Sequence, residues 1–412
     1  MPPESEVKTD RPFAARMRGA SGNAIREILK LTQQSGVISF AGGMPSPSSF
    51  PTAALERLAS RILHEEGPRV LQYGITEGDP ELRAIVADKL LVRGIRASAD
   101  DILILTGSQQ GIDLLFKALI DPGDLVVVER PTYLAVLQIA RAYEAEVVSI
   151  PIDEMGIRLD ALEALLAKRR PKILYTVPTF QNPSGVSLAA DRRRRLAQLA
   201  AEHGFVVIED DPYADLRFEG EPVPAIKASD AAPGHVVYLG SFSKIISPGL
   251  RVGYAVAPPD LYRAMAVGKQ GTDVHTSNLS QRLIAAFCRS GELEPHIARI
   301  AAECRQKRDR MLAALDEHMP AGSTWTRPGG GLFVWVTLPE GLHATALLAA
   351  AVEKSVAFVP GEPFFAPDAL GEPALAALAS RTLRLNFSNA TVDDIDTGIA
   401  RLGAVFRSFA RP

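Results

Sequence analysis

Cysteine is scarce in this chain of 412 residues: there are two, Cys288 and Cys304. Neither lies in a C-x-x-C or other metal-ligand spacing, which excludes a disulfide framework and a cysteine-rich metal site and leaves two inert, buried thiols in a reducing compartment. Excess charge of one sign is also missing. A formal net charge of -3 carries no electrostatic footprint for nucleic acid or an anionic membrane. The one basic run, Arg192 to Arg195, fits the solvated face of a helix. Long apolar runs are absent, so no membrane span is expected, and "MPPESEVKTDRPFAARM" has no apolar core of a signal peptide. No repeat or low-complexity tract is visible. The expectation is a cytoplasmic globular protein long enough for a large core and two domains.

What is present is a repeating alternation. From Asp101, "DILILTG", "DLVVVERP", "EVVSIPID", "KILYTVPT", "FVVIEDDPY", "HVVYLG" and "VGYAVAP" read as strands, and most are separated by segments with helical spacing. Continuous apolar strands indicate a mainly parallel sheet covered on both faces, a doubly wound α/β domain. Ligands of such sheets sit beyond the carboxyl ends of the strands. Five polar clusters fall there: "TGSQQG", "ERPTY", "PTFQNPSG", "EDDPY" and "LGSFSK". After Gln281 a helical stretch leads to "TWTRPGGGLFVWVTLPEG", "SVAFVPGEPFF" and "RTLRLNFSNA", which read as a smaller α+β domain. The expected division is 1–45 as an N-terminal arm and substrate-covering helix, 46–281 as the large domain and 282–412 as the small one.

The stretch "SFSKIISPGLRVGY" sets Lys244 between two buried strands, with Ser241, Ser243 and Arg251 close by. A lysine held at a strand end beside a second cation has its pKa lowered toward the neutral, nucleophilic amine, which can form a Schiff base with an aldehyde. The serines, Arg251 and the N–H groups of "TGSQQG" suit a phosphate. An aldehyde carrying a phosphate points to pyridoxal 5'-phosphate. That cofactor also needs a carboxylate for its pyridine nitrogen, and Asp210 or Asp211 of "EDDPY" fits.

These motifs, together with "NPSG", "QYGITEGDPELR" and "FAGGMPSPSSFP", resemble those of class I aminotransferases of fold type I, closest to the 2-aminoadipate and kynurenine branch. The resemblance runs from about Ser21 to Phe406. It implies transamination between an L-amino acid and a 2-oxo acid on pyridoxal 5'-phosphate. Lys244 is implied as the Schiff-base lysine and proton shuttle, and Asp210, three residues before Tyr213, as the pyridinium partner. Asn182 and Tyr213 resemble the pair that holds the phenolate oxygen. Ser108, Gln109, Ser241, Ser243 and Arg251 resemble the phosphate cup, with Ser241 and Ser243 unranked, and Tyr133 the aromatic stacked on the ring. Arg384 resembles the arginine that grips the substrate α-carboxylate, beside Gly43. Tyr73 resembles a tyrosine serving the neighbouring subunit's cofactor, which implies a homodimer with shared sites. Arg26, in "NAIREILKL", sits where the aminoadipate branch binds a distal carboxylate.

The same fold and lysine also run decarboxylation, elimination and oxidation. Aminotransferase-like domains further occur in transcriptional regulators behind a helix-turn-helix. Few residues precede the enzyme-like part here, and no basic recognition helix is legible.

Overall fold

The computed structural model describes residues 14, 16, 36–231, 234–369, 371 and 374–410. Arg26 and the segment expected to cover the substrate lie outside these residues.

Among the described residues the large sheet has eight strands. Its central strands Leu125–Arg130, Ile173–Thr176, Val206–Asp210 and Val236–Ser241 run parallel. Glu146–Asp153 extends this parallel set on the far side of Leu125–Arg130. Burial alternates between the two faces: Val126 and Val128 join one apolar cluster, whereas Leu125 and Val127 join another. Period-2 side chains feeding two separate cores are the reason these strands read as continuous apolar runs.

One strand departs from the parallel order. Gly253–Val256 lies between Val236–Ser241 and Ile102–Leu105 and is antiparallel to both. It therefore begins at the edge where its neighbours end, and this carries Arg251, two residues before it, to the same edge as Ser241. The small sheet is antiparallel, in the order Thr324–Trp325, Phe333–Thr337, Thr382–Asn386, Val359–Pro360. Ile38–Ser39 pairs with Val356–Ala357, so the described residues of the N-terminal segment join the C-terminal part. The position 281/282 falls inside the helix Asn278–Arg289, where buried Gln281 accepts from the Asp79 N–H.

No helix among the described residues is long and apolar enough to cross a membrane. Neither is any group of His, Cys, Asp or Glu among them arranged to hold a metal ion. Cys288 and Cys304 are free thiols, each pushed up to about 12 by burial.

Candidate active site

A cavity of about 330 Å³ opens at the carboxyl edge of the large sheet, closed on one side by the small sheet. The chain folds tightly around it. Gly107 has φ +83°, and a Cβ there would come within 2.6 Å of Arg251 Nη2. The helix Ser108–Leu119 starts at that point, so its unpaired N–H groups face the cavity beside Ser108 and Gln109. Arg251 takes a left-handed backbone (φ 54°) after the Pro248–Leu250 turn and donates to the Thr106 carbonyl at 3.2 Å. Ser241 closes its strand and donates to Ser243 Oγ at 2.9 Å. These groups form a cluster of donors around one end of the cavity.

Lys244 reaches in from the following turn, and its Nζ donates to the Gly43 carbonyl at 3.2 Å. Burial, then Arg384, then Arg251 lower its pKa to about 8, while Asp210 opposes them. Asp210 ends the strand Val206–Asp210 and lines the cavity. Its Oδ2 accepts from the Tyr175 hydroxyl at 2.8 Å, and its buried Oδ1 has no partner among the described residues. Burial pushes it up to about 6, against the pull of the Tyr175 and Ser108 hydroxyls and Lys244. Asp211 turns away, accepting from the Tyr238 hydroxyl at 3.1 Å.

On the opposite wall, Arg384 donates from Nη1 to Asn182 Oδ1 at 2.9 Å and from Nη2 to the Ala41 carbonyl at 2.7 Å. The guanidinium carbon stands 4.5 Å from the Phe333 ring centroid and 5.2 Å from that of Phe364. Burial lowers its pKa to about 10, so it stays cationic at neutral pH. Tyr133 and Tyr213 also line the cavity, and burial raises both phenols.

Twelve of the sequence-selected residues thus share one cavity: Gly43, Ser108, Gln109, Tyr133, Asn182, Asp210, Tyr213, Ser241, Ser243, Lys244, Arg251 and Arg384. Tyr73 does not join them. It is 80% exposed on its own chain and packs edge-on against His275. Three contributors escaped the sequence reading. Tyr175 holds Asp210, and its signal was a tyrosine inside an aliphatic strand, whose hydroxyl needs a buried partner. Phe333 and Phe364 sandwich Arg384, and nothing in their local sequence announces this.

The donor set suits pyridoxal phosphate. The helix start, serines and Arg251 match a phosphate, Lys244 a reactive aldehyde, and the orphaned Asp210 Oδ1 a pyridinium N–H. Comparison with known proteins agrees. The profile for aminotransferase class I and II matches residues 35–402. Aromatic-amino-acid aminotransferase 1 of Thermococcus litoralis is 43% identical over 404 residues, 97% of this chain and 94% of the relative. The kynurenine aminotransferase of Pyrococcus horikoshii, solved with PMP, superimposes with a TM-score of 0.91 at 40% identity, over 98% of this chain and 99% of that one. The alpha-aminoadipate aminotransferase of Thermus thermophilus, solved with N-(5'-phosphopyridoxyl)-L-leucine, gives 0.87 at 40% identity, over 96% and 97%. With family profile, fold and cavity chemistry in agreement, this chain belongs to the class I and II aminotransferases and transfers amino groups with pyridoxal 5'-phosphate.

Proposed function

We propose that this aminotransferase takes its nitrogen from 2-aminoadipate- or glutamate-like donors, with aromatic or aliphatic amino acids as further donors, and passes it to a 2-oxo acid such as 2-oxoglutarate. The observation that carries the reading is the Arg384 fork, fixed by Asn182 and Ala41 at the cavity wall opposite Asp210, where it suits an α-carboxylate in a bidentate grip. Bound pyridoxal phosphate supplies the aldehyde that takes up the amino group and a ring that draws electrons from the substrate α-carbon. The chain's own residues do the rest. Lys244 anchors the cofactor through Nζ and then moves the proton on and off the α-carbon. Asp210 keeps the pyridine nitrogen protonated through its free oxygen. Asn182 and Tyr213 hold the phenolate oxygen. Ser108, Gln109, Ser241, Ser243 and Arg251 hold the phosphate, and Tyr133 covers the ring. Donor and acceptor use the one cavity in turn, a ping-pong cycle.

Donor choice is assigned to Arg26, whose charge suits a distal carboxylate. Relatives named for aromatic amino acids, kynurenine and aminoadipate support a range of donors with an acidic one among them. The test is Arg26→Gln, comparing kcat/KM for 2-aminoadipate and leucine with 2-oxoglutarate as acceptor. A charge-assisted contact predicts a loss of roughly tenfold to a hundredfold for 2-aminoadipate alone. Equal losses, or none, remove Arg26 from the assignment.

The reading also includes a cytoplasmic homodimer in which Tyr73 serves the partner's cofactor. The exposure of Tyr73, with Leu71 and Ile75 beside it, supports that placement. Mixing inactive Lys244→Ala and Tyr73→Ala chains should restore about a quarter of full activity, because random pairing leaves one intact site in each mixed dimer. Verified exchange without recovery would count against shared sites.

A further inference from the structure

Behind the phosphate end of the cavity lies a second polar cluster. Gly107, Ser108 and Gln109 line the cavity, while the residues on either side of them, Thr106 and Gln110, turn their side chains to Asp273 instead. The Thr106 hydroxyl donates to Asp273 Oδ2 at 2.6 Å, and Gln110 Nε2 donates to the same oxygen at 2.8 Å. Gln110 Oε1 accepts the Thr106 N–H at 2.8 Å, which ties the two shoulders of the loop to each other. The cation facing Asp273 is Lys269, fully buried near the end of the helix Pro259–Gln270. Its Nζ reaches Asp273 Oδ1 at 2.8 Å, Thr276 Oγ1 at 3.0 Å and Gln110 Oε1 at 3.2 Å.

Three acceptors around one nitrogen need three N–H donors, which only the ammonium form has. The directions of the other bonds then follow. Thr106 gives its hydroxyl proton to Asp273, so the 3.1 Å contact between the Thr106 and Thr276 hydroxyls takes its proton from Thr276, which accepts from Lys269. The Gln110 amide is fixed in the same way, its oxygen facing two donors and its nitrogen the carboxylate. A buried ammonium and carboxylate add little stability over apolar groups of the same volume, because desolvation offsets their attraction. What a fully satisfied, directed network supplies is position. The segment it positions is the Thr106 peptide and the first turn of the helix Ser108–Leu119, with Arg251 donating to the Thr106 carbonyl.

We propose that Lys269 and Asp273 are positioning residues for the cofactor phosphate: they hold Thr106 and Gln110 so that the N–H groups of the helix start converge on one anion. Neither lines the cavity, so both act through the loop they hold. The inference rests on the reading of Ser108, Gln109 and Arg251 as groups that hold the phosphate. Its effect is confined to that end of the cavity, because Asp210 and Lys244 stand on other elements, the strand Val206–Asp210 and the turn after Val236–Ser241.

The test compares pyridoxal 5'-phosphate with pyridoxal, which has the same ring and aldehyde and no phosphate. Each is titrated into the full-length protein freed of cofactor, with the visible band as readout and Lys244→Ala as the blank for reaction at other lysines. Lys269→Met should weaken pyridoxal 5'-phosphate about tenfold and pyridoxal by less than about twofold. Asp273→Asn should do the same, since asparagine has one acceptor oxygen where the carboxylate serves donors on both sides. Its side chain is 25% exposed, so it decides if Lys269→Met fails to fold. Arg251→Gln tests the phosphate reading itself and should lower the same ratio of affinities. If it does, and the folded Lys269 or Asp273 variant keeps the ratio or weakens both compounds equally, the positioning role is overturned and the phosphate reading stands. If Arg251→Gln leaves the ratio unchanged, the phosphate reading fails and the proposal falls with it.

Discussion

Glu209 and Asp210 are consecutive residues of one strand, both buried, and they face opposite sides of the large sheet. Burial raises both carboxyls, Glu209 to about 7 and Asp210 to about 6. Their surroundings differ. On one side both Glu209 oxygens accept backbone N–H groups, from Ile226 and Lys227, at 2.8 Å each. On the other, Asp210 has one oxygen on Tyr175 and one with no partner. A buried acid with a full set of donors ties a loop to the sheet. A buried acid with an idle oxygen costs stability, by about 1–3 kcal/mol for such a group, and so marks where a ligand completes the set. Burial and a raised pKa are common to both sides of the strand; Asp211 Oδ1 is also buried without a partner but does not line the cavity, so it is the missing partner together with a place on the cavity wall that sets Asp210 apart.

The comparison can be broken by substitution. The largest effect belongs to the crevice side. Lys244→Ala should lower turnover roughly 10⁴-fold and leave borohydride with no cofactor to fix on the peptide containing residue 244; a label on another lysine would overturn the assignment. Next come the paired acids themselves. Asp210→Asn should cost on the order of 10²–10³-fold in kcat with the fold intact, by analogy with losing one preorganised electrostatic contact. Glu209→Gln should instead lower unfolding stability by about 1–3 kcal/mol and leave kcat of the folded enzyme nearly unchanged. Equal losses of kcat in the two variants would show that the idle oxygen is no guide to function.

Much of the crevice side was legible in the sequence, because each loop that builds it follows a recognisable apolar strand and carries a compact polar motif. "EDDPY" narrowed the acid to two candidates, and its spacing to Tyr213 favoured Asp210, which is the one found lining the cavity. The supporting side was not legible. The donors to Glu209 lie at Ile226 and Lys227, in a loop whose return to the sheet no local pattern records. The reversed direction of Gly253–Val256 was hidden for a related reason: a buried apolar strand reads the same whichever way it runs. Arg384 gave a motif but not its sandwich between Phe333 and Phe364, which is long-range packing. Phe180 gave no signal, since the glycines that leave room for it, Gly330 and Gly331, lie far along the chain.

The smallest effect concerns the charge balance at Lys244 and sharpens the comparison most. Burial and two cations lower its pKa to about 8, so the amine is mostly neutral above that pH and mostly ammonium below it. Only the neutral amine attacks an aldehyde. The rate at which the cofactor-free protein takes up pyridoxal phosphate should therefore rise with pH, pass its midpoint near 8 and level off above it, whereas an ordinary lysine would keep rising toward 10.5. Arg384 is the largest depressing cause after burial. Arg384→Gln removes a cation that disfavours the ammonium, so the midpoint must move upward, by about one pH unit. At a pH below both midpoints that unit is roughly a tenfold slower capture. Glu209→Gln, across the sheet, should leave the midpoint where it was. Fluorescence stopped-flow across the pH range measures all three proteins. An unmoved midpoint in Arg384→Gln would mean that Arg384 does not help to set the lysine, leaving burial and Arg251. A shift in Glu209→Gln would mean that the two faces of the strand are not electrically separate.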